Sequence, residues 1–451
     1  QPASIHRSGQ PSDQTLSSDN LPVIKDAIVQ AAERAIAQTG LDAQTTKIDE
    51  GTKRRDRYDA PREDSAGHDR PPHFLRASLL LGLEDRATRH DDVAAAAGKT
   101  IQDAIDAGDE NHAMQIMALG ASRLTAQLYA EGRIDGMIAL GGTMGTDLAL
   151  DCARVLPIGV PKYVVSTVAF SPLIPPDRLS ADIQMILWAG GLYGLNDVCI
   201  ATLSQAAGAV YGAALAVVPP KPGQPVIGMM SFGSSALKYM VYLRQPLVDR
   251  GFSVAVFHGT GMGGMAMESL TEQGYFAAVL ELAVAEIGNI MVGSVVNAGK
   301  NRMTAAGKRG TPIIAAPGFG DMIDFPTWAP VPERFRDRPY HAHNRLIASA
   351  SLNGAERREL AREVARRLKT SVGPVHFVLP TQGVHAWDTE GMPAHDPDAL
   401  AEMVDEYRNV MTGPIDLTVV DCHINDKAFA MKVLDVIDGW IADGTIKMTK
   451  D

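Results

Sequence analysis

Residues 134–156 read IDGMIALGGTMGTDLALDCARVL. The first seven (134–140) form a short apolar run with polar neighbours, which predicts a buried strand. GGTMGT (141–146) is a glycine-rich turn, and DLALDCARVL (147–156) predicts a helix. A strand that runs through such a turn into a helix is the first half of a βαβ unit, so the chain reads as α/β.

The same texture extends both ways. Residues 100–107 and 113–131 are helix-like, and PKYVVSTVAF (161–170) predicts the next strand. Further strands are predicted at 226–232, 252–258, 311–318, 375–381 and 415–421. Helix-like stretches lie at 235–249, 263–287, 355–369, 397–411 and 427–442. Between the halves, Pro219, Pro220, Pro222 and Gly223 interrupt any helix or central strand. The expected architecture is two Rossmann-like α/β domains with parallel sheets, over 75–218 and 224–445, with an interdomain cleft. Residues 1–74 form a variable N-terminal segment. Within it, 1–20 are expected to be disordered, 22–39 have helical periodicity, and 49–73 read as a charged linker.

Val198–Val218 is apolar almost throughout and rich in Ala and Gly. It reads as a buried, closely packed helix rather than a membrane span. The 451 residues are 45% hydrophobic and 21% charged, with a net charge of −11. That balance excludes a disordered chain, and the acidic sum argues against nucleic acid held by bulk charge. Cys152, Cys199 and Cys422 are odd in number and far apart, which fits free thiols in a reducing compartment. With no apolar leader in the residues present, the expectation is a cytoplasmic protein without a membrane partner.

In a parallel α/β sheet, ligands bind beyond the carboxyl ends of the strands, so the turns after each strand carry the functional reading. Gly141, Gly142, Thr143, Gly145 and Thr146 have the chemistry of a phosphate or carboxylate cradle: no Cβ, two hydroxyls and a helix N-terminus. HGTGMGGMAME (258–268) repeats the pattern, with Thr260, Gly261, Gly263 and Gly264 as anion contacts. Neither turn is a Walker A loop, and neither has the full GxGxxG spacing. Gly318, Gly320 and Asp321 form a third strand-end loop, whose Asp321 and Asp324 could hold magnesium or a ribose. Lys300 and Arg302 could reach phosphates. His258, His423 and Asp426 are the acid/base candidates, His423 and Asp426 standing where the last strand meets a helix. His385, Asp388 and His395 lie in a further loop. No HExxH or tight Cys/His set occurs, so no metal centre is expected.

Seven motifs occur in order: GGTMGT, LPIGVPKYVVSTVA (156–169), GLN (194–196), FHGTGMGGMAMESL (257–270), AGKNRMTAA (298–306), PGFGDMIDF (317–325) and HINDKAFA (423–430). This set resembles the family of ATP-binding proteins related to the tomato mosaic virus resistance protein, whose bacterial members are mostly uncharacterised. The resemblance covers about residues 75–445. It implies two Rossmann-like subdomains, ATP with magnesium as ligand, and a homodimer or higher homo-oligomer. The ligand loops it implies are Gly141–Thr146, His258–Gly264 and Gly318–Asp321. Residues 1–50 lack the strand and Gly-Thr-x-Asp-Thr-Lys-like loop that usually open the family.

The leading expectation is therefore a nucleotide-binding protein that holds phosphates on glycine-rich loops. The alternative is an enzyme acting on a small carboxylate or phosphorylated metabolite through a histidine acid/base. A third is an interaction protein that inhibits a partner.

Overall fold

The computed structural model describes residues 90–188, 190, 196–220, 223–233 and 236–448. The expectations for 1–20, 22–39 and 49–73, and residues 194–195 of GLN, lie outside these residues. The chain divides into two compact units: residues 1–156, 160–170 and 184–217, and residues 157–159, 171–183 and 218–451.

In the first unit, helices α1 (His90–Ala96), α2 (Ile101–Ile105) and α3 (Glu110–Ala130) precede strand β1 (Met137–Gly141). Asp109 caps α3 by accepting from the His112 amide at 2.9 Å, and Thr100 and Asp103 form a reciprocal capping box on α2. Helix α4 (Thr143–Arg154) and strands β2 (Lys162–Ser166) and β3 (Gln184–Leu187) follow. The three strands pair in parallel in the order β1-β2-β3, with Met137 opposite Lys162 and Tyr163 opposite Gln184.

Helix α5 (Asp197–Ala216) packs Ala206 and Val210 against Ile138 and Val165 of this sheet. It is long and apolar enough to cross a membrane, yet only 28% of its apolar window is buried. The expected buried, closely packed helix is therefore buried along one face only. A three-stranded sheet offers one narrow surface, so Cys199, Leu203, Ala206, Ala207 and Val210 are covered. Val198, Ile200 and Leu215 stay exposed. Gly208 and Gly212 face open space.

The second unit is built on a six-stranded parallel sheet in the order β12-β11-β7-β6-β4-β5. Its strands are β4 (Val226–Ser231), β5 (Ser253–His258), β6 (Ala278–Ala283), β7 (Ile313–Gly318), β11 (Val375–Pro380) and β12 (Ile415–Val420). A small antiparallel sheet, β8 (Met322–Pro326), β10 (Ile347–Ser351) and β9 (Tyr340–Ala342), is inserted between β7 and β11. The helices are α6 (Tyr239–Asp249), α7 (Met262–Glu272), α8 (Ala285–Met291), α9 (Ala305–Arg309), α10 (Gly354–Leu368), α11 (Pro397–Val410) and α12 (Lys427–Ala442). The chain leaves β4 first towards β5 and then towards β6, so the winding reverses between β4 and β6. In doubly wound sheets the ligand crevice lies at such a switch point.

The strand β6 lies inside the single helix expected over 263–287. Gly274, at φ +71°, ends α7. The run AVLELA is then buried along its whole length, so it carries no alternation to mark it as a strand.

Candidate functional site

The turn after β5 shows what its glycines are for. A Cβ on Gly263 would strike the His258 carbonyl, and one on Gly264 the Glu286 carboxylate. Gly261 sits at φ +93°, where a Cβ would lie 2.8 Å from the Asn297 carbonyl oxygen. The amides of Gly261 and Gly264 donate to Oε1 of Glu286, at 2.6 and 3.2 Å. The anion at the N-terminus of α7 is thus a side chain of the protein itself. The Thr260 amide donates to the His258 carbonyl at 2.8 Å, and the residue is half-buried.

Glu286 belongs to a buried charge cluster. Arg302, 1% exposed, donates to Glu286 (Nε, 2.6 Å), to both oxygens of Glu281 (2.7 and 2.6 Å) and to Glu268 (3.1 Å). Glu268 also accepts from the amides of Met303, Thr304 and Ala305 at the start of α9. Arg302 therefore faces inward, away from any phosphate. Burial raises the Glu286 carboxyl above its usual range despite Arg302. It raises Glu268 to about 7, against the pull of Arg302. Glu281 is betrayed in sequence only as a lone charge in an apolar run, and Glu286 by nothing.

The turn after β1 is different. Gly141 and Gly145 are tight, a Cβ on Gly141 falling 2.6 Å from the Gly145 Cα. Gly142 is the N-cap of α4, with no side-chain cap bond and only Thr167 Oγ1, at 3.7 Å, near its would-be Cβ. Gly142, Thr143 and Met144 are exposed, so the first-turn amides of α4 open towards water. Thr146 departs from expectation. Its buried hydroxyl meets Ser166 Oγ at 2.7 Å, binding α4 to β2.

After β7, Gly318 packs on the Leu282 carbonyl and Gly320 on the Pro317 carbonyl, so neither leaves room for a ligand above it. Phe319 holds φ +55°, an uncommon value for a bulky residue, and stacks on Phe232 with centroids 4.4 Å apart. Asp321, expected to meet magnesium or a ribose, is fully buried. Its two oxygens lie 3.0 Å from His385 Nε2, one of them aligned as a hydrogen bond, and Arg357 Nη2 is 3.8 Å away. Burial would raise the Asp321 carboxyl, but His385 and Arg357 outweigh it and hold it below the usual range. Burial lowers His385, yet the Asp321 carboxylate prevails and raises it. Asp324 is buried as well. It accepts from Ser349 and Asn289, and burial pushes it up to about 6.

His423 is fixed at both ring nitrogens. Nε2 lies 3.0 Å from Asp388 Oδ1 and 3.1 Å from the His385 carbonyl, while Nδ1 accepts from the Asn425 amide at 3.0 Å. Asp426 accepts from the His423 amide at 2.9 Å. This pair positions the β12 turn, and neither nitrogen of His423 is left for a reacting proton. Asp321, His385 and Asp388 bring one potential metal-ligand atom each within 4.8 Å of one another. The His385 nitrogens are spent on Asp321 and on the Trp387 amide, and Asp388 is spent on His423 and the Val384 amide. Arg357 supplies the positive charge beside Asp321, and although the His385 and Asp388 atoms are engaged, Asp321 Oδ1 and Arg357 Nη2 are buried without a hydrogen-bond partner among the described residues.

His258 behaves otherwise. It is exposed at the carboxyl end of β5, edge-on to Phe232 at 5.8 Å, and among the described residues no hydrogen bond uses its ring. Partial burial, then the charge of His343, lowers its pKa, which favours the neutral imidazole.

The model of the uncharacterised protein family UPF0261 matches in two parts, its N-terminal domain over residues 82–219 and its C-terminal domain over 224–441. This chain belongs to the UPF0261 family. A UPF0261 protein of Brucella melitensis is 53% identical over 377 residues, covering 83% of this chain and 90% of that one. A UPF0261 protein of Clostridium tetani is 33% identical, covering 75% and 84%. The ToMV resistance protein Tm-1(GCR237) of Solanum lycopersicum is 29% identical over 331 residues, covering 72% of this chain and 44% of the tomato protein. The UPF0261 relatives thus reach from bacteria to a plant resistance protein, and the two family domains correspond to the two α/β parts of the fold.

Proposed function

We propose that this UPF0261 protein binds a nucleotide such as ATP, with its phosphates on the first turn of α4. One observation carries the reading. Gly142 caps α4 without a side chain, so the amides of Thr143, Met144 and Gly145 are an open anion site at a helix N-terminus. The resemblance of the strand-end motifs to an ATP-binding family supports the same ligand. Magnesium would travel with the triphosphate, held by phosphate oxygens and water. The turn over Gly261–Gly264 is a weaker phosphate site, because Glu286 already fills it.

Gly142→Asp tests the proposal. A Cβ fits at this position, and the new carboxylate would cap α4 and compete for the same amides. Affinity for magnesium-ATP should fall at least about tenfold, with stability unchanged or higher by a few tenths of a kcal/mol. Unaltered ATP affinity would sink the reading.

A second reading, an enzyme acting on a small carboxylate or phosphorylated metabolite, is favoured by His258. An exposed, neutral imidazole at a strand end is suited to accept a proton at pH 7. A homo-oligomer is supported by the bare apolar face of α5, which a second copy would shield from water. Sedimentation of the purified chain as a monomer at micromolar concentration would count against that expectation.

A further inference from the structure

Beside the small antiparallel sheet of the second unit lies a cavity of about 110 Å³. Tyr340, His341, Trp387, Met322, Met392 and Pro339 line most of it. Among the described residues, no carboxylate, lysine or arginine lines its wall. We infer that this cavity is a subsite for a planar aromatic ring carried by a small ligand.

Three observations bear on the occupant. First, the wall is built for ring faces. The His341 and Trp387 centroids are 4.0 Å apart, and Trp387 is anchored by its amide donating to His385 Nδ1 and by its carbonyl accepting from the Ala394 amide, both at 3.1 Å. Burial, then His343 and His385, lower the His341 pKa. At neutral pH its ring therefore offers a π face and both a donor and an acceptor nitrogen, suited to a ring bearing a heteroatom or polar substituent. Second, the size fits with one adjustment. An apolar cavity of about 150 Å³ is known to hold benzene, and here Met392 and Tyr340, each 42% exposed, form a yielding rim. Third, a row of packed rings joins the cavity wall to the carboxyl edge of the large sheet. Trp387 meets Phe319 edge-on at 5.4 Å, Phe319 stacks on Phe232 at 4.4 Å, and Phe232 meets His258 at 5.8 Å. This row of rings leads from the switch-point side of β4 to the cavity. The unusual φ of Phe319 is what places its ring in the row.

The inference goes beyond the nucleotide reading, because a ring subsite stands whether or not phosphates bind at α4. The ring could belong to a nucleobase or to an aromatic acid, and the probes separate them. Calorimetric titrations of the whole protein would use adenosine, benzoate, cyclohexanecarboxylate and inorganic tripolyphosphate. Adenosine, benzoate or both should bind, and cyclohexanecarboxylate at least tenfold more weakly than benzoate. In Met392→Phe, which fills the cavity from its exposed rim, and in Trp387→Leu, the ring probes should weaken at least tenfold. Tripolyphosphate should be unaffected by either variant. The inference falls if neither ring probe binds at millimolar concentration, if benzoate binds and cyclohexanecarboxylate binds as tightly, or if Met392→Phe binds the ring probes like the wild type. Failure of the wild-type protein to bind tripolyphosphate while the ring probes bind would count against the α4 reading and leave the ring subsite intact.

Discussion

Oε1 of Glu286 lies 2.6 Å from the Gly261 amide, at the N-terminus of α7 where an external anion would otherwise sit. The Gly264 amide shares the same oxygen, and Arg302 holds the other at 2.6 Å. A glycine-rich turn that resembles a phosphate cradle in sequence is here a joint between helix and charge cluster.

The cluster holds three carboxylates to one guanidinium, so removing the cation should do more harm than removing one anion. Arg302→Met should cost about 3–5 kcal/mol or prevent folding, and Glu286→Gln clearly less. Urea unfolding of both variants checks the order, and equal losses would contradict it.

Glu268 gives a pH signature. Its folded pKa of about 7 stands above the ordinary 4.5, so between those values the folded protein binds more protons than the unfolded one. The stability it contributes is full below about pH 4.5 and is lost as the pH rises through 7. Melting temperatures measured from pH 4.5 to 8 should fall less steeply for Glu268→Gln than for the wild type.

Glycine substitutions should separate joint from open turn. Gly264→Ala forces a methyl group against Glu286 and Arg302 and should cost about 1–3 kcal/mol. Gly142→Asp, with room around its Cβ, should not destabilise at all. Thermal unfolding of the two proteins side by side is sufficient.

The two histidines should part company. His423→Ala leaves Asp388 and the His385 carbonyl without their partner and should lower stability by about 1–3 kcal/mol. His258→Ala should leave the melting temperature within a degree or two. If the chain is an enzyme, it should abolish a pH-dependent step on the acidic side of neutrality. A large stability loss in His258→Ala would show that its exposure misleads.

Much of the fold was legible before any coordinate. The strands at β1, β2, β4, β5, β7, β11 and β12 and the helices α6, α10, α11 and α12 fall within a few residues of their expected places. Each of these segments is bounded by residues that punctuate the backbone. β6 was hidden because it is buried on both faces and continues an apolar helix pattern. The antiparallel β8, β9 and β10 were hidden because they are short and flanked by ordinary polar loops.

Local chemistry, by contrast, misassigned several side chains. Arg302 and Asp321 read as ligand contacts, and both are buried against partners more than fifteen residues away. Thr146 read as a phosphate donor and instead bonds Ser166. Nothing near Gly261 announces that Glu286, twenty-five residues on, will take its amide.

The order of residues alone settled that this chain alternates strands and helices, and that its turns are rich in glycine, because backbone sterics and apolar periodicity act over a few neighbours. Which turn stays open, which carboxylate fills the other, and which rings line a cavity were settled by the packing of distant segments. Those outcomes depend on burial and on charge pairing across the chain, and a linear pattern carries no record of either.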